Sequence, residues 1–235
     1  IGVYDTGDGW RRVAEFDTGG MDPHEMQLMP DGETLVVANG GILTHPDYPQ
    51  ENLDPAGMDP SLAYLDRRDG RLISIHRLAP ELRQLSFHHL AVARDGTVFV
   101  VLQDAIRRAE AAPLIVSHRQ GAALEPVDPG EGELRRLRGY CGSVALDGRE
   151  RILATTSPRG GVVLFWDRET RQVAGGLELA DVCGVAPAGP AGVFVVTSGI
   201  GGVLLYDVAR ARSLKLAAPV FAGSHWDNHV FAAPA

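Results

Sequence analysis

The chain has 235 residues, of which 45% are hydrophobic and 22% charged, a composition that supports a packed core and argues against a disordered chain. Its 22 basic and 30 acidic residues give a net charge of −8, which would repel a phosphate backbone and argues against a nucleic-acid partner. No apolar stretch approaches the roughly 18 residues that a membrane-spanning helix needs. The 28 glycines and 15 prolines favour many short strands and turns over long helices.

The start of the chain bears on its processing. It begins Ile1-Gly2-Val3 without a methionine, and no basic segment followed by an apolar one is present, so we expect no signal peptide in this sequence. Either a leader has been removed or the chain is a fragment. All-β folds of this length often form one domain, and we predict a single domain over residues 1–235.

Two internal repeats organise the chain. The segment Thr156-Ser-Pro-Arg-Gly-Gly, followed by an apolar run and Asp167, recurs 41 residues later between Thr197 and Asp207. Apolar runs that end in aspartate also occur at Asp5 and Asp66. Before these runs, two apolar segments are repeatedly joined by Asp-Gly or a similar turn. Asp-Gly between apolar runs predicts a tight hairpin, because glycine accepts the positive φ that such a turn needs.

The repeated unit is four antiparallel strands in roughly 40–50 residues, which is the period of a propeller blade. We therefore predict an all-β fold, a β-propeller of four-stranded antiparallel blades; a β-sandwich with regular turns is the alternative. In chain order, the whole blades start near Met26, Leu90, Ser143 and Val185.

Partial blades are predicted at both ends. Residues 2–17 contain the outer strands of a preceding blade, and residues 229–233 form one inner strand after the last whole blade. The chain thus holds about five blades' worth and begins in mid-blade. We expect upstream blades in a longer precursor and about seven in the complete ring, because an open inner edge invites aggregation.

Polar residues recur where each inner strand begins. Seven positions before the hairpin turns lie His24, His88, Tyr140 and Asp181, and alignment of the last segment adds Asn228. Inner strands line the central channel of a propeller, so these side chains and their successors are expected at one channel mouth. We predict a site there for a small polar ligand or a metal ion. Its candidate residues are His24, Glu25, His88, His89, Tyr140, Asp181, Asn228 and His229, with His24, His88 and His229 as candidate metal ligands. Channel mouths are wet, however, and polar residues also occur there without a function.

Residues 40–60 interrupt the first blade. This insertion is rich in proline and acidic residues and contains the binding candidates His45 and Asp47. It leaves the second strand on the same face as His24, so it is either a cap over the mouth or a plain surface loop.

The two cysteines and the last polar cluster leave alternatives open. Cys141 and Cys183 fall at nearly matching positions of neighbouring blades, and a disulfide, two free thiols and a shared ligand site are all compatible with this placement. The segment from His225 to His229 is the densest cluster of polar chemistry, but it is also compatible with a blade-closing segment in which Trp226 belongs to the core.

Several of these motifs carry a family resemblance. They are Pro23-His24-Glu25 before Leu28-Met29-Pro30-Asp31-Gly32, Val37-Ala38-Asn39-Gly40-Gly41-Ile42, Thr44-His45-Pro46-Asp47, Leu90-Ala91-Val92-Ala93, Thr156-Ser157-Pro158-Arg159-Gly160-Gly161, Asp181-Val182-Cys183-Gly184-Val185 and Trp226-Asp227-Asn228-His229. With these motifs the chain resembles, over essentially its whole length, the bacterial domain of unknown function 1513, a family of exported propeller-like proteins. Cys141 departs from the family pattern, because other members need not have a cysteine at this position. This departure weakens the case for a disulfide that every member would share.

The resemblance implies a periplasmic or membrane-attached extracytoplasmic protein, whose partners are exported proteins of iron uptake or haem-type redox systems. It supplies no catalytic residue, because no activity is established for the family. The first functional hypothesis is a non-catalytic module that binds a ligand or a protein in such a system. The alternative is a lactonase-like hydrolase, with a metal ion on Glu25, Asp181 and Asn228 and with His24 or His88 as general base. A third hypothesis is a plain protein-interaction disc.

Overall fold

A computed structural model of the chain describes residues 1–45, 47, 52–128, 130–221 and 223–231. Strands dominate these residues, and none of the helices they contain is long and apolar enough to cross a membrane.

The chain opens with a two-stranded antiparallel sheet and a first four-stranded sheet. The small sheet consists of β1 (Gly2–Asp5) and β2 (Arg11–Glu15). The first blade consists of β3 (Pro23–Leu28), β4 (Thr34–Asn39), β5 (Ser61–Asp66) and β6 (Leu72–His76). All neighbouring strands in these sheets pair antiparallel.

Three further blades repeat the same meander. The second consists of β7 (Leu85–Val92), β8 (Val98–Asp104), β9 (Ile115–His118) and β10 (Glu125–Pro126). The third consists of β11 (Ser143–Leu146), β12 (Ile152–Ser157), β13 (Val162–Asp167) and β14 (Val173–Glu178). The fourth consists of β15 (Val182–Pro187), β16 (Val193–Ser198), β17 (Val203–Asp207) and β18 (Arg212–Lys215).

The first strands of successive blades lie side by side. Strand β3 contacts β7, β7 contacts β11, and β11 contacts β15. This neighbourhood is the one expected of inner strands around a propeller axis. The predicted all-β architecture of four-stranded antiparallel blades is confirmed, and each predicted blade start falls in or beside one of these inner strands.

The core lies between the blades. On β13, Leu164 and Trp166 belong to a cluster shared with the first two blades, whereas Val163 and Phe165 belong to a cluster shared with the fourth. Successive side chains of a strand point to opposite faces, so this blade buries both of its faces against neighbours. The Phe165 ring stacks on that of Tyr206 with centroids 4.9 Å apart. Inter-blade packing thus explains why the blade sequences read as apolar runs with little polar alternation.

Aspartates terminate the repeats for a local reason. At the first inner hairpin, Asp31 Oδ1 accepts hydrogen bonds from the amides of Glu33 and Thr34 at 2.8 and 2.9 Å, and Gly32 adopts a φ of 70°. After the third strand, Asp167 Oδ1 accepts from the amides of Glu169 and Thr170, both at 3.0 Å. A carboxylate that binds its own following turn is a standard turn-forming arrangement, which explains the recurrence of aspartate at these positions.

The third inner hairpin differs from the simple Asp-Gly turn that its sequence predicts. Its left-handed residue is Glu150, with a φ of 58°, and not Gly148. Asp147 Oδ1 instead accepts from the amides of Arg151 and Ile152, at 2.7 and 2.8 Å, so the turn is longer than two residues.

Two further features depart from the predicted pattern. A short helix, α1 (Glu131–Arg136), lies between the second and third blades, where no helix is predicted. The predicted inner strand at residues 229–233 is wrong for the part that the structure describes: residues 229–231 form no strand, and residues 232–233 lie outside the described range. A strand needs a pairing partner, and the described residues supply no second strand for this blade.

Candidate functional site

The starts of the inner strands bring the predicted histidines together. The ring centroids of His24 and His88 lie 4.1 Å apart, those of His24 and His89 lie 4.9 Å apart, and those of His89 and His229 lie 4.5 Å apart. His88 Nδ1 and His24 Nε2 share a hydrogen bond of 3.1 Å. Four imidazoles from three separate parts of the chain therefore form one continuous cluster.

Backbone irregularities aim these side chains. The pairing register shifts between Pro23 and Glu25 in β3 and between Phe87 and Leu90 in β7, so the bulges contain His24, His88 and His89. A third shift follows Val182 in β15, at the corresponding height. β-bulges bend a strand and redirect its side chains, and they are common beside functional sites. The recurrence at one end of three inner strands marks this end of the channel as specialised.

The bulges divide the polar residues predicted at the starts of the inner strands between two cavities. His24, His88 and Tyr140 line a cavity of about 610 Å³, here called the mouth cavity. Glu25, His89, Asn228 and His229 line a second cavity of about 1030 Å³ that continues along the inner strands, here called the channel cavity. Residues that occupy equivalent repeat positions in the sequence thus line two different cavities in the fold.

Glu25 is fully engaged on the channel side. Its Oε2 accepts hydrogen bonds from His89 Nδ1 at 2.8 Å and from the Leu90 amide at 3.2 Å, and its Oε1 accepts from Gln27 Nε2 at 2.9 Å. Burial alone would raise the pKa of Glu25, but the hydrogen bonds from His89 and Gln27 outweigh it and hold this pKa below its usual value. Glu25 is therefore a charged structural anchor between β3 and β7.

The two histidines of the mouth are neutral near pH 7. Burial is the main cause that lowers the pKa of His88 to about 2, and the adjacent rings of His24 and His89 lower it further. Loss of surrounding water, with contributions from His89 and His229, lowers the pKa of His24 to about 4. A neutral imidazole carries one donor and one acceptor nitrogen. The pair therefore offers hydrogen bonds to a ligand without adding positive charge.

This pH behaviour gives a first prediction. The unfolded chain gains a proton on residue 88 as the pH falls below 6.5, whereas the folded chain resists it down to about 2. Above pH 6.5 the protonation of His88 does not affect the free energy of unfolding. Below that value the free energy of unfolding decreases by up to about 1.4 kcal/mol per pH unit, because only the unfolded chain gains the proton. Urea unfolding of the wild type and of His88→Gln, between pH 6.5 and about 5, is expected to show a steeper loss in the wild type. Parallel pH profiles would contradict the buried neutral imidazole. Burial also lowers the pKa of His76 and of His118, but both residues are present in the two proteins, so comparison of the profiles cancels their contributions.

Other mouth residues are absent from the sequence-based candidates. Asp22, Gln103, Arg107 and Arg159 line the mouth cavity, and burial raises the pKa of Asp22. Arg159 stands at the repeat position that Ile200 occupies in the next blade and Arg107 in the preceding one, and an arginine in place of isoleucine is a sequence signal that marks it. Arg107 lies after β8 with a φ of 50°, a strained conformation that is frequent at binding sites.

The insertion contributes to the mouth through residues other than those predicted. Ile42, Thr44 and Asn52 line the mouth cavity, which supports its interpretation as a cap. His45 and Asp47 do not line it: their side chains are exposed, and the Asp47 amide donates to His45 Nδ1 at 3.2 Å. The candidates fall on the outer side of the loop because a local turn pairs them with each other.

Asp181 is another predicted member that does not join the cluster. It lies outside the strand, exposed and with a φ of 48°, and it lines neither cavity. Its carboxylate instead lies beside Gly199, where an added Cβ would approach Asp181 Oδ2 to 2.3 Å. The turn before β15 thus directs this side chain away from the mouth. Asn228 remains near it, with Nδ2 donating to the Tyr140 hydroxyl at 3.4 Å.

A metal site on the histidines and a disulfide between the two cysteines were also considered in the sequence analysis. Among the described residues, no group of three or more His, Cys, Asp or Glu side chains has a geometry that could hold a metal ion, and His24, His88 and His229 do not form one. Cys141 and Cys183 are free and buried. Cys141 packs in the apolar core, where burial raises the pKa of its thiol, and Cys183 Sγ donates to the carbonyl of Asp181 at 3.2 Å.

Comparison with solved structures places this site on a known fold. The chain superposes on the RRP9 WD40 repeats (TM-score 0.57, 13% identity, covering 83% of this chain and 51% of that one). It also superposes on hydrazine synthase of Kuenenia stuttgartiensis (0.60, 14%, 93% and 65%) and on a chain of the mitotic checkpoint complex (0.63, 15%, 93% and 57%). The chain thus spans between about half and two thirds of these chains.

These likenesses concern the fold alone, and WD40 repeats are β-propeller blades. No curated protein matches the chain at a significant level. A family model, in contrast, matches nearly all of it, from residue 1 to residue 233. The chain therefore belongs to the family described as "Protein of unknown function (DUF1513)".

Proposed function

We propose that this protein is a binding module that holds a small polar ligand in the mouth cavity. The observation that carries the proposal is the state of His88. This residue lines the cavity and is only 9% exposed. Its Nδ1 is engaged by His24, but its Nε2 is buried without a hydrogen-bond partner among the described residues. Buried polar atoms in native proteins nearly always have a partner, and a ligand in the cavity would supply it.

The cavity has the size and the wall of a ligand site. Its volume of about 610 Å³ falls within the range of small-molecule pockets. One wall comes from the bulged starts of β3 and β7, and another from the insertion through Thr44 and Asn52. The inner strands hold the histidines and described residues of a loop line the same cavity, which is a common arrangement in binding sites.

A metal-dependent lactonase receives less support from the same geometry. Both carboxylate oxygens of Glu25 already accept hydrogen bonds, and the Asp181 carboxylate lies beside Gly199, outside both cavities. Two of the three expected metal ligands are therefore not available at the mouth. A general base at neutral pH works best with a pKa near 7, whereas that of His88 is lowered to about 2. Non-catalytic binding is therefore the function that we put forward.

The proposal is tested by nuclear magnetic resonance of the histidine ring nitrogens. Succinate, malate, succinamide, orthophosphate, glucose and glycine betaine are titrated separately to millimolar concentration. We expect at least one of them to shift the ring signals of His88 saturably, because the free Nε2 gains a partner. His88→Phe removes both ring nitrogens and should abolish this binding, which in the variant is followed on the ring signals of His24, a lining residue of the same cavity. His225→Phe makes the same change at an exposed residue outside the cavity and should leave it intact. If no probe shifts the His88 signals, the proposed function is wrong.

We also propose, on the family resemblance, that this module works outside the cytoplasm with exported proteins of an iron or redox system. The support is what the resemblance implies, namely that members carry an export signal and are often encoded beside proteins of such systems. Immunoblotting of periplasmic and cytosolic fractions tests the location, and a purely cytosolic signal would contradict it.

A further inference from the structure

We infer that the ligand of the mouth cavity is a small organic dicarboxylate that is bound by Arg107 and Arg159. This inference rests on the proposed function and names the chemical class that the site takes. Both arginines line the mouth cavity, and neither forms an ion pair with any residue that the structure describes. Most other arginines of the chain are paired with a carboxylate, as Arg68, Arg108 and Arg168 are.

The guanidinium group of Arg159 is held in place from one side. Its central carbon lies 4.4 Å from the ring centroid of Tyr140. Stacking on an aromatic ring fixes the plane of a guanidinium and leaves its N–H groups free at the edge. Tyr140 is itself tied to Asn228 through its hydroxyl. An edge of free N–H groups in one plane matches the two oxygens of a carboxylate.

The acidic residues at the mouth do not neutralise the two arginines. Asp104 is already paired, because its Oδ2 lies 3.3 Å from Arg108 Nε and accepts from the Arg108 amide at 2.7 Å. Asp22 is the remaining acidic residue among the described residues that line the cavity, and even as a carboxylate it carries one negative charge against two guanidinium groups. The lining residues that the structure describes therefore carry more positive than negative charge, although the whole chain carries −8.

The unpartnered groups of the cavity also favour an acceptor-rich ligand. Asn52 Nδ2 is buried without a partner among the described residues, and it can only donate. His88 Nε2 also has no partner among the described residues; His88 is nine-tenths buried, and its tautomer decides whether Nε2 donates or accepts. Two guanidinium groups and an amide nitrogen together call for several ligand oxygens.

Size separates an organic dicarboxylate from an inorganic oxyanion. A cavity of about 610 Å³ suits a molecule of several carbon atoms, whereas phosphate or sulfate would occupy a small part of it. Two separate cations on the wall can each take one carboxylate of a short dicarboxylate. We therefore choose succinate as the probe and succinamide, which has the same shape without charge, as its neutral counterpart.

Calorimetric titration of the folded chain tests the class. We expect succinate to bind and succinamide to bind at least about 10-fold more weakly, because charge-assisted hydrogen bonds are lost. Arg107→Gln and Arg159→Gln should each weaken succinate binding by about 10-fold or more. Arg149→Gln is the matched control: this exposed arginine lies in the turn between β11 and β12, at the other end of the inner strand, and should change the affinity less than about twofold.

Each contrary outcome has its own meaning. Equal affinity for succinate and succinamide, or unchanged succinate binding in both cavity variants, would overturn the dicarboxylate assignment while the binding module stands. Binding of orthophosphate but not of succinate would replace it with an inorganic oxyanion. Failure of succinate, succinamide and orthophosphate together with the neutral probes of the resonance experiment would remove the proposed function itself. Because both arginines are exposed, their variants should melt like the wild type, and the melting curve checks this.

Discussion

Trp166→Ala is expected to lower the free energy of unfolding by about 3–5 kcal/mol. Trp166 lies on β13 at 1% exposure and packs in the cluster that joins the first three blades. Its Nε1 donates to Thr155 Oγ1 at 2.8 Å. The substitution therefore opens a large cavity between blades and removes a buried hydrogen bond. Urea unfolding followed by circular dichroism measures the loss.

Trp10→Ala is the matched control for this change. Trp10 is 70% exposed, next to the start of β2, and its loss should change the free energy of unfolding by less than about 0.5 kcal/mol. Trp166→Phe retains most of the ring volume and should give an intermediate loss, which keeps the test measurable if the alanine variant does not fold. Equal losses for Trp166→Ala and Trp10→Ala would contradict the packing between blades.

Gly41→Ala is expected to be the second strongly destabilising change, at the base of the insertion. Gly41 adopts a φ of 67°, and an added Cβ would lie 2.2 Å from Pro60 N and 2.4 Å from Asp59 C. Left-handed backbone costs other residues about 1–2 kcal/mol, and overpacking adds about 1–3 kcal/mol. The backbone atoms of the returning chain cannot move aside as a flexible side chain would. Urea unfolding should thus show a loss of about 2–5 kcal/mol.

Gly32→Ala separates the two contributions. Gly32 has nearly the same φ, 70°, but an added Cβ would meet nothing within 4 Å. Its loss should remain near the backbone cost of about 1–2 kcal/mol. Gly41 also precedes Ile42, which lines the mouth cavity, so only Gly41→Ala should weaken ligand binding. Equal losses in the two variants would mean that residues 59 and 60 do not press against residue 41.

The predicted blade order succeeded because its signals are local. Asp31 and Asp167 bind the amides of their own turns, so an aspartate after an apolar run marks a strand end wherever it occurs. The same local logic failed at Asp147, where the turn is longer and Glu150 takes the left-handed conformation. It also missed α1, because a helix of one and a half turns has little periodicity to detect.

The candidate site was only partly predictable for a different reason. Repeat counting identified His24 and His88, because inner strands begin at equivalent positions in every blade. It also selected Asp181, since counting assumes that each strand enters the sheet in the same way, and the turn before β15 does not. Arg107 and Arg159 follow the second strands of successive blades, and their separation of 52 residues equals that of His88 and Tyr140. The counting was applied only to the starts of the inner strands, so it did not select these two loop residues.

The amino-acid sequence by itself determined the all-β class, the four-stranded blade and the row of polar residues at one end of the inner strands. Those properties follow from turn chemistry and strand periodicity, which act over a few residues. Only the tertiary structure decided that the row divides between the mouth and channel cavities and that Arg107 and Arg159 line the mouth cavity together with His24 and His88. The bulges that redirect side chains and the packing of blade against blade depend on contacts between residues far apart in the chain, which no local pattern records.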